Sequence, residues 1–181
     1  MKKPVIIVVL CIAFFWGGRI YSTNQIKDKV DYYDMQSVVE NDGISINPLE
    51  SHLYTVNEYI ERFHISMEDI GVEDMDSRII CICLEMTNGT ERDISWDEIM
   101  ARTECGFETL TWMSSVSPYT GSKINVFTDE SFKPNATQKI WYATTINRVC
   151  FRQKTWENMQ EESFYYVLSL SPRKIKIRLE I

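Results

Sequence analysis

Glycine and histidine are scarce in this chain, seven and two among 181 residues, and each shortage removes a class of chemistry. A phosphate cradle needs closely spaced glycines at a strand-to-helix junction; no Walker loop, G-x-G-x-x-G or G-x-S-x-G elbow occurs. The two histidines, His52 and His64, stand too far apart for an H-E-x-x-H helix and have no glutamate in that register. Cys81 and Cys83 form a C-x-C pair without the second cysteine or histidine pair that a structural zinc site requires. Basic residues are short too: 19 stand against 26 acidic ones, a formal charge of −7. Setting aside Lys2, Lys3 and Arg19 leaves 16 against 26, or −10. Such a surface repels phosphate backbones and anionic headgroups, so no nucleic acid partner is expected. The longest uncharged apolar run, residues 5–16 (VIIVVLCIAFFW), falls below the roughly 20 residues of an ordinary membrane-spanning helix.

That run sets the location of all that follows it. Twelve residues suit the core of a signal peptide. Extended from Pro4 to Tyr21, the segment has eighteen positions, with Arg19 placed to snorkel toward the interface. No A-x-A-like cleavage pair follows, and Leu10 before Cys11 makes a poor lipidation site. Lys2 and Lys3 favour a cytoplasmic N-terminus and an exported remainder. The expectation is an uncleaved anchor; a cleaved signal and a buried core segment are the alternatives. Residues 1–22 are therefore read as a signal or membrane anchor segment and residues 23–43, with the alternation KDKVDYYD, as a polar stalk. Residues 44–181 form the folded domain, for which an apolar fraction of 44% supplies a core.

Within that domain the periodicity is mainly of period two. GISINPLESHLYT alternates, with Pro48 confining it to an edge or an irregular start. TVNEYIERFHI carries a capping box, Thr55 and Glu58, ahead of Val56, Tyr59, Ile60 and Phe63 at helical spacing, and His64 closes this one short helix. The acidic stretch 67–76 reads as a loop. RIICICLEMT puts Ile80, Ile82, Leu84 and Met86 on one face before the Asn88-Gly89 turn. A strand is expected near Ile94, although Ser95 and Glu98 also fit a capping box. Ile140, Tyr142, Thr144 and Ile146 share a face, as do Phe164, Tyr166, Leu168 and Leu170, and then Ile175, Ile177, Leu179 and Ile181. The last two runs form an antiparallel hairpin whose Lys174, Lys176, Arg178 and Glu180 are expected to face water. Short strands closed by such a hairpin indicate a β-sandwich.

Four cysteines lie in the exported part. Cys81 and Cys83, two apart on a strand, share a face and are read as buried thiols; a Cys105–Cys150 bridge stays open. Glu68, Asp69, Glu73, Asp74 and Asp76 offer hard oxygen ligands, with Asp74 and Asp76 the candidate calcium ligands, but EF-hand spacing is missing and a solvated loop is the preferred reading. No catalytic residue is singled out. Pairing of His52 or His64 with a cysteine and a hidden carboxylate pair are the two routes left to a hydrolase. The aromatic surplus gives the functional hint: Trp112, Tyr119 and Trp156 flank loops and are the candidate binding-surface residues.

The apolar N-terminus, the strand ending in Thr-Asn-Gly, ISWDEI, FKPNATQKIWY and the closing YYVLSLSPRKIKIRLEI together resemble the small immunoglobulin-like domains of unknown function exported by Gram-positive bacteria. In FKPNATQKI, Asn135 stands where glycine is more usual. The resemblance covers roughly residues 44–181 and implies an immunoglobulin-like antiparallel β-sandwich outside the cell. The expected role is non-enzymatic: a domain tethered to the cell membrane by a single pass, or else secreted, that presents an interaction surface to an envelope protein or ligand. A metal-ion or small-ligand module is the alternative, and an envelope hydrolase the third.

Overall fold

The computed structural model describes residues 16, 30–72, 74–100, 106–117, 120–121, 123–127, 129–170 and 173–181. The expected N-terminal hydrophobic helix falls almost wholly outside them; among the described residues no helix is long and apolar enough to cross a membrane.

Among the described residues eleven strands dominate: β1 (Val30–Tyr33), β2 (Val39–Asn41), β3 (Ile44–Thr55), β4 (Arg78–Asn88), β5 (Ile94–Ser95), β6 (Gly106–Glu108), β7 (Met113–Ser115), β8 (Ser131–Phe132), β9 (Thr137–Ile146), β10 (Tyr165–Ser169) and β11 (Lys174–Arg178). One sheet has the order β1-β11-β10-β6-β7, a second β2-β3-β4-β9, and β5 pairs with β8. Their inner faces meet in one core. Ile44, Ile46, Ile80, Ile82, Leu84, Met86, Ile140 and Tyr142 come from the four-stranded sheet, and Phe107, Tyr166, Leu168, Ile175 and Ile177 from the five-stranded one. Each such side chain taken out of water contributes about 1.5–3 kcal/mol. The rings of Tyr142 and Tyr166 meet across the gap at 5.6 Å, and Ser114 Oγ lies 3.1 Å from Thr144 Oγ1. The sandwich expected from period-two patterning is therefore present.

Three details depart from expectation. The stretch 23–43 is not all stalk, since β1 and β2 lie within it and Met35 and Val39 are buried. No sustained alternation of apolar residues marks this stretch, because short edge strands contribute few core positions. The sheets are not wholly antiparallel, because β1 runs parallel to β11, with Val30 opposite Lys174 and Tyr33 opposite Ile177. Helix is also more plentiful than one element: α1 (Val56–Phe63), α2 (Met67–Ile70), α3 (Trp96–Met100) and α4 (Gln153–Glu157). For α1 the expected capping box is formed and His64 caps the end at φ 53°. The acidic stretch hides a second box, Ser66 with Asp69, which starts α2. Ser95 accepts from the Glu98 backbone N–H, so a strand end and a helix start share that residue.

Local chemistry explains the irregular places. Pro48 sits where β3 has already outrun β2 and bulges toward Glu50, so its missing N–H costs no ladder bond to β2. Asn135 adopts φ 59°, which asparagine tolerates better than other non-glycine residues. Asn88 is fully buried, and its amide donates to the carbonyls of Arg92 and Phe132, so the Asn-Gly turn anchors a loop instead of joining two paired neighbours.

Among the described residues the outer edge of β9 has no partner strand, and a side chain takes that place. Asn125 Nδ2 donates to the Trp141 carbonyl at 2.9 Å, while Asn125 Oδ1 accepts from the Trp141 N–H at 2.7 Å. The carboxamide thus offers one donor and one acceptor in the order a neighbouring strand would. Asn125→Ala is expected to destabilise the chain by about 2 kcal/mol, since both backbone groups lose their partners at a half-buried position. Hydrogen exchange should show faster loss of protection at Trp141 than at Ile140; equal rates would sink this assignment.

Candidate binding face

Because side chains alternate across a strand, every core residue of the five-stranded sheet has an outward neighbour. Tyr32 from β1, Lys174 and Lys176 from β11, Tyr165 from β10 and Glu108 from β6 share the outer face, set by the register of Tyr32 with Lys176 and of Tyr165 with Glu108. Gly106 lies on the same face. A Cβ there would come within 2.5 Å of the Ser114 carbonyl, so only glycine lets β6 and β7 approach this closely.

Glu108 is the centre of that face. Its carboxylate receives Lys174 Nζ at 2.8 Å and also Lys176 Nζ, with the glutamate side chain nine-tenths buried. Burial pushes the carboxyl up, but hydrogen bonds and charges from the two lysines outweigh it and hold Glu108 below its ordinary range. Burial likewise disfavours the Lys176 ammonium, and Glu108 more than compensates, so Lys176 titrates above the usual lysine range. Neither lysine faces water as expected. The alternation was legible, but their partner lies on a strand 66 residues away in sequence for Lys174. Lys176 Nζ also sits 5.4 Å from the Tyr32 ring centroid and 5.6 Å from that of Tyr165, and the two rings meet edge to face at 5.9 Å.

The β6–β7 turn projects from this face. Tyr32, Glu108, Thr109, Leu110, Glu161, Glu162, Ser163, Tyr165 and Lys176 line a concavity of about 480 Å3. On the other side of the turn lies one of about 470 Å3, bounded by Leu110, Thr111, Cys150, Phe151, Arg152, Thr155 and Glu162. Leu110 belongs to both and is 95% exposed, with Met113 at 63% and Tyr32 at 62%. None of these three was a sequence candidate. A lone leucine between threonines carries no periodic signal, and only the turn geometry puts it at the rim.

The sequence candidates fall elsewhere. Trp156 is 8% exposed, with the Arg78 guanidinium 5.3 Å above its ring and Phe151 beside it, so it covers the core and offers no free surface. Trp112 is half-buried against the core and Phe151. Tyr119 lies outside the described residues. Asp74 and Asp76 are exposed, but Asp74 accepts from the Asp76 N–H and Asp76 lies 3.7 Å from Arg148. They form a turn, and no metal-ligating cluster occurs among the described residues.

The register does unite one set of reactive side chains. Glu50 and His52 on β3 lie opposite Cys83 and Cys81 on β4, with His52 Nε2 2.9 Å from Glu50 Oε2. A cysteine hydrolase needs a thiolate, and here burial acts against one: the Cys83 thiol is pushed up to about 11 and Cys81 higher still. Both are free thiols, as sequence spacing predicts, and so is exposed Cys150.

The chain matches no protein-family model and no curated protein. Its structure is similar to that of an uncharacterised β-sandwich protein from Clostridium difficile 630, at 10% identity and a TM-score of 0.50, covering 85% of this chain and 98% of the other. It is likewise similar to a conserved hypothetical protein from Bacillus anthracis, at 13% identity and a TM-score of 0.50, covering 80% and 94%. At such identities the likeness concerns the fold alone. Neighbours from two Gram-positive bacteria support a β-sandwich of unknown function.

Proposed function

We propose that this chain is a non-enzymatic, envelope-tethered immunoglobulin-like domain that binds an envelope protein or ligand through the outer face of its five-stranded sheet. Strand order supports the finer fold reading. With β3, β4 and β9 as strands A, B and E, and β6, β7, β10 and β11 as C, C′, F and G, both sheets follow the immunoglobulin order, and the segment bonded along β9 replaces strand D. Lys2 and Lys3 ahead of the apolar run 5–16 support the tether and the outward orientation. The observation that carries the binding role is Leu110, exposed between two concavities and accompanied by Met113 and Tyr32. Single exposed apolar residues are ordinary, whereas several grouped around concave surface mark interaction sites.

A photo-crosslinking side chain placed at position 110 of the full chain in intact cells tests this reading. Discrete adducts are expected there and not with the label at Lys139, on the outer face of the opposite sheet. External protease should remove a C-terminal tag without lysis. Equal adducts at both positions would overturn the binding face, and a tag protected until lysis would overturn the tether.

A further inference from the structure

We infer that the concavity beside Tyr32 and Tyr165 takes a basic side chain, a lysine or arginine, adjacent to an apolar residue, from a partner polypeptide. This rests on the binding face proposed above and names the chemistry of its partner. The first observation is that the site already holds one alkylammonium. Lys176 lies over both tyrosine rings and against Glu108, which is the arrangement a cation finds favourable: π faces on one side and a carboxylate on the other. That cation is neutralised within the wall, because Glu108 is shared between Lys174 and Lys176.

The second observation is the charge left over. Glu161 and Glu162 line the same concavity and carry no ion pair among the described residues. They also line an adjoining one of about 390 Å3 that adds Asp34, Glu180 and Arg178. Five carboxylates in these two adjoining concavities and their wall therefore face three cations, Lys174, Lys176 and Arg178. An incoming positive charge is attracted and an incoming acid repelled. Third, the exposed edge of Tyr32 and the free side chain of Leu110 bound the same concavity. A cation entering there has its neighbouring residue laid on apolar surface, which favours a basic residue next to an apolar one over a bare ion.

The probes are two blocked tripeptides, acetyl-Lys-Leu-Lys-amide and acetyl-Glu-Leu-Glu-amide, titrated into the isotopically labelled full chain in neutral detergent. Shifts at Tyr32, Tyr165 and Leu110 are expected with the lysine peptide, and weaker binding at higher salt. Glu161→Gln with Glu162→Gln, two surface changes that leave the core alone, should weaken binding about five-fold. Leu110→Ser should weaken both peptides, whatever their charge. Equal affinity for the two peptides, or a double variant that binds like the parent, overturns the inference. If adducts still form at position 110 in cells while the lysine peptide fails to bind, the basic partner falls and the binding face stands. If both fail, both readings fall.

Discussion

Phe107→Ala should lower the unfolding free energy by about 3–5 kcal/mol. Phe107 is fully buried on β6, and its ring meets Tyr166 at 5.3 Å with the planes 62° apart. Three residues are all that β6 contributes, and Phe107 is the one that reaches the core. Truncation therefore removes transfer free energy and leaves a cavity beside Tyr166, whose ring also contacts Tyr142 of the other sheet. Neighbouring side chains can fill little of that space, since strands on both sides fix their backbones. Thermal and denaturant unfolding of the full chain would show it; at this size the midpoint should fall by roughly 10 °C. A loss under about 1 kcal/mol would mean that the ring does not sit between the sheets.

Glu108→Ala is the second large effect, about 3 kcal/mol at neutral pH. The lost attraction is the smaller part of that figure. The larger is the pair of ammonium groups left at half-buried positions with no counter-charge. Adding Lys176→Met should recover much of the loss, so the double variant separates an abandoned charge from lost packing.

The same triad predicts a pH dependence whose sign follows from the shifts. Glu108 is held below its ordinary value of 4.5, so the native state binds its proton less tightly than the unfolded chain does. Its contribution is complete above 4.5 and disappears as pH falls through the lower, native value. Lys176 is raised above 10.5, so its contribution is complete below 10.5 and disappears as pH rises through the native value. Unfolding free energy measured against pH should fall more steeply at the acid end for the parent than for Glu108→Ala. Parallel curves would remove Glu108 from the account.

Which parts were legible in the sequence follows from how far apart the cooperating residues lie. The helix Val56–Phe63 was readable because its capping box and apolar stripe fall within one short window, and the strand over residues 78–88 because alternation persists through it. The helix at Met67–Ile70 was hidden by acidic residues that look like loop, although Asp69 was already the box partner of Ser66. The first two strands were hidden because they are short edge strands that bury only one of their residues fully, Val39. Thr-Leu-Thr at the β6–β7 turn, and a glutamate facing two lysines, have no local signature.

The sequence by itself determined the mainly β character, the inward faces of the long strands, the buried state of the Cys81 and Cys83 thiols and the acidic charge. These depend on the nature and spacing of neighbouring residues, which period-two geometry converts directly into a face. Only the tertiary structure decided that β1 lies parallel to β11, that Trp156 is covered, and that Leu110 stands free above a tyrosine-lined concavity. Each of these joins segments distant in the chain. Their pairing is set by the total apolar surface the two sheets can bury together, a quantity no local window contains.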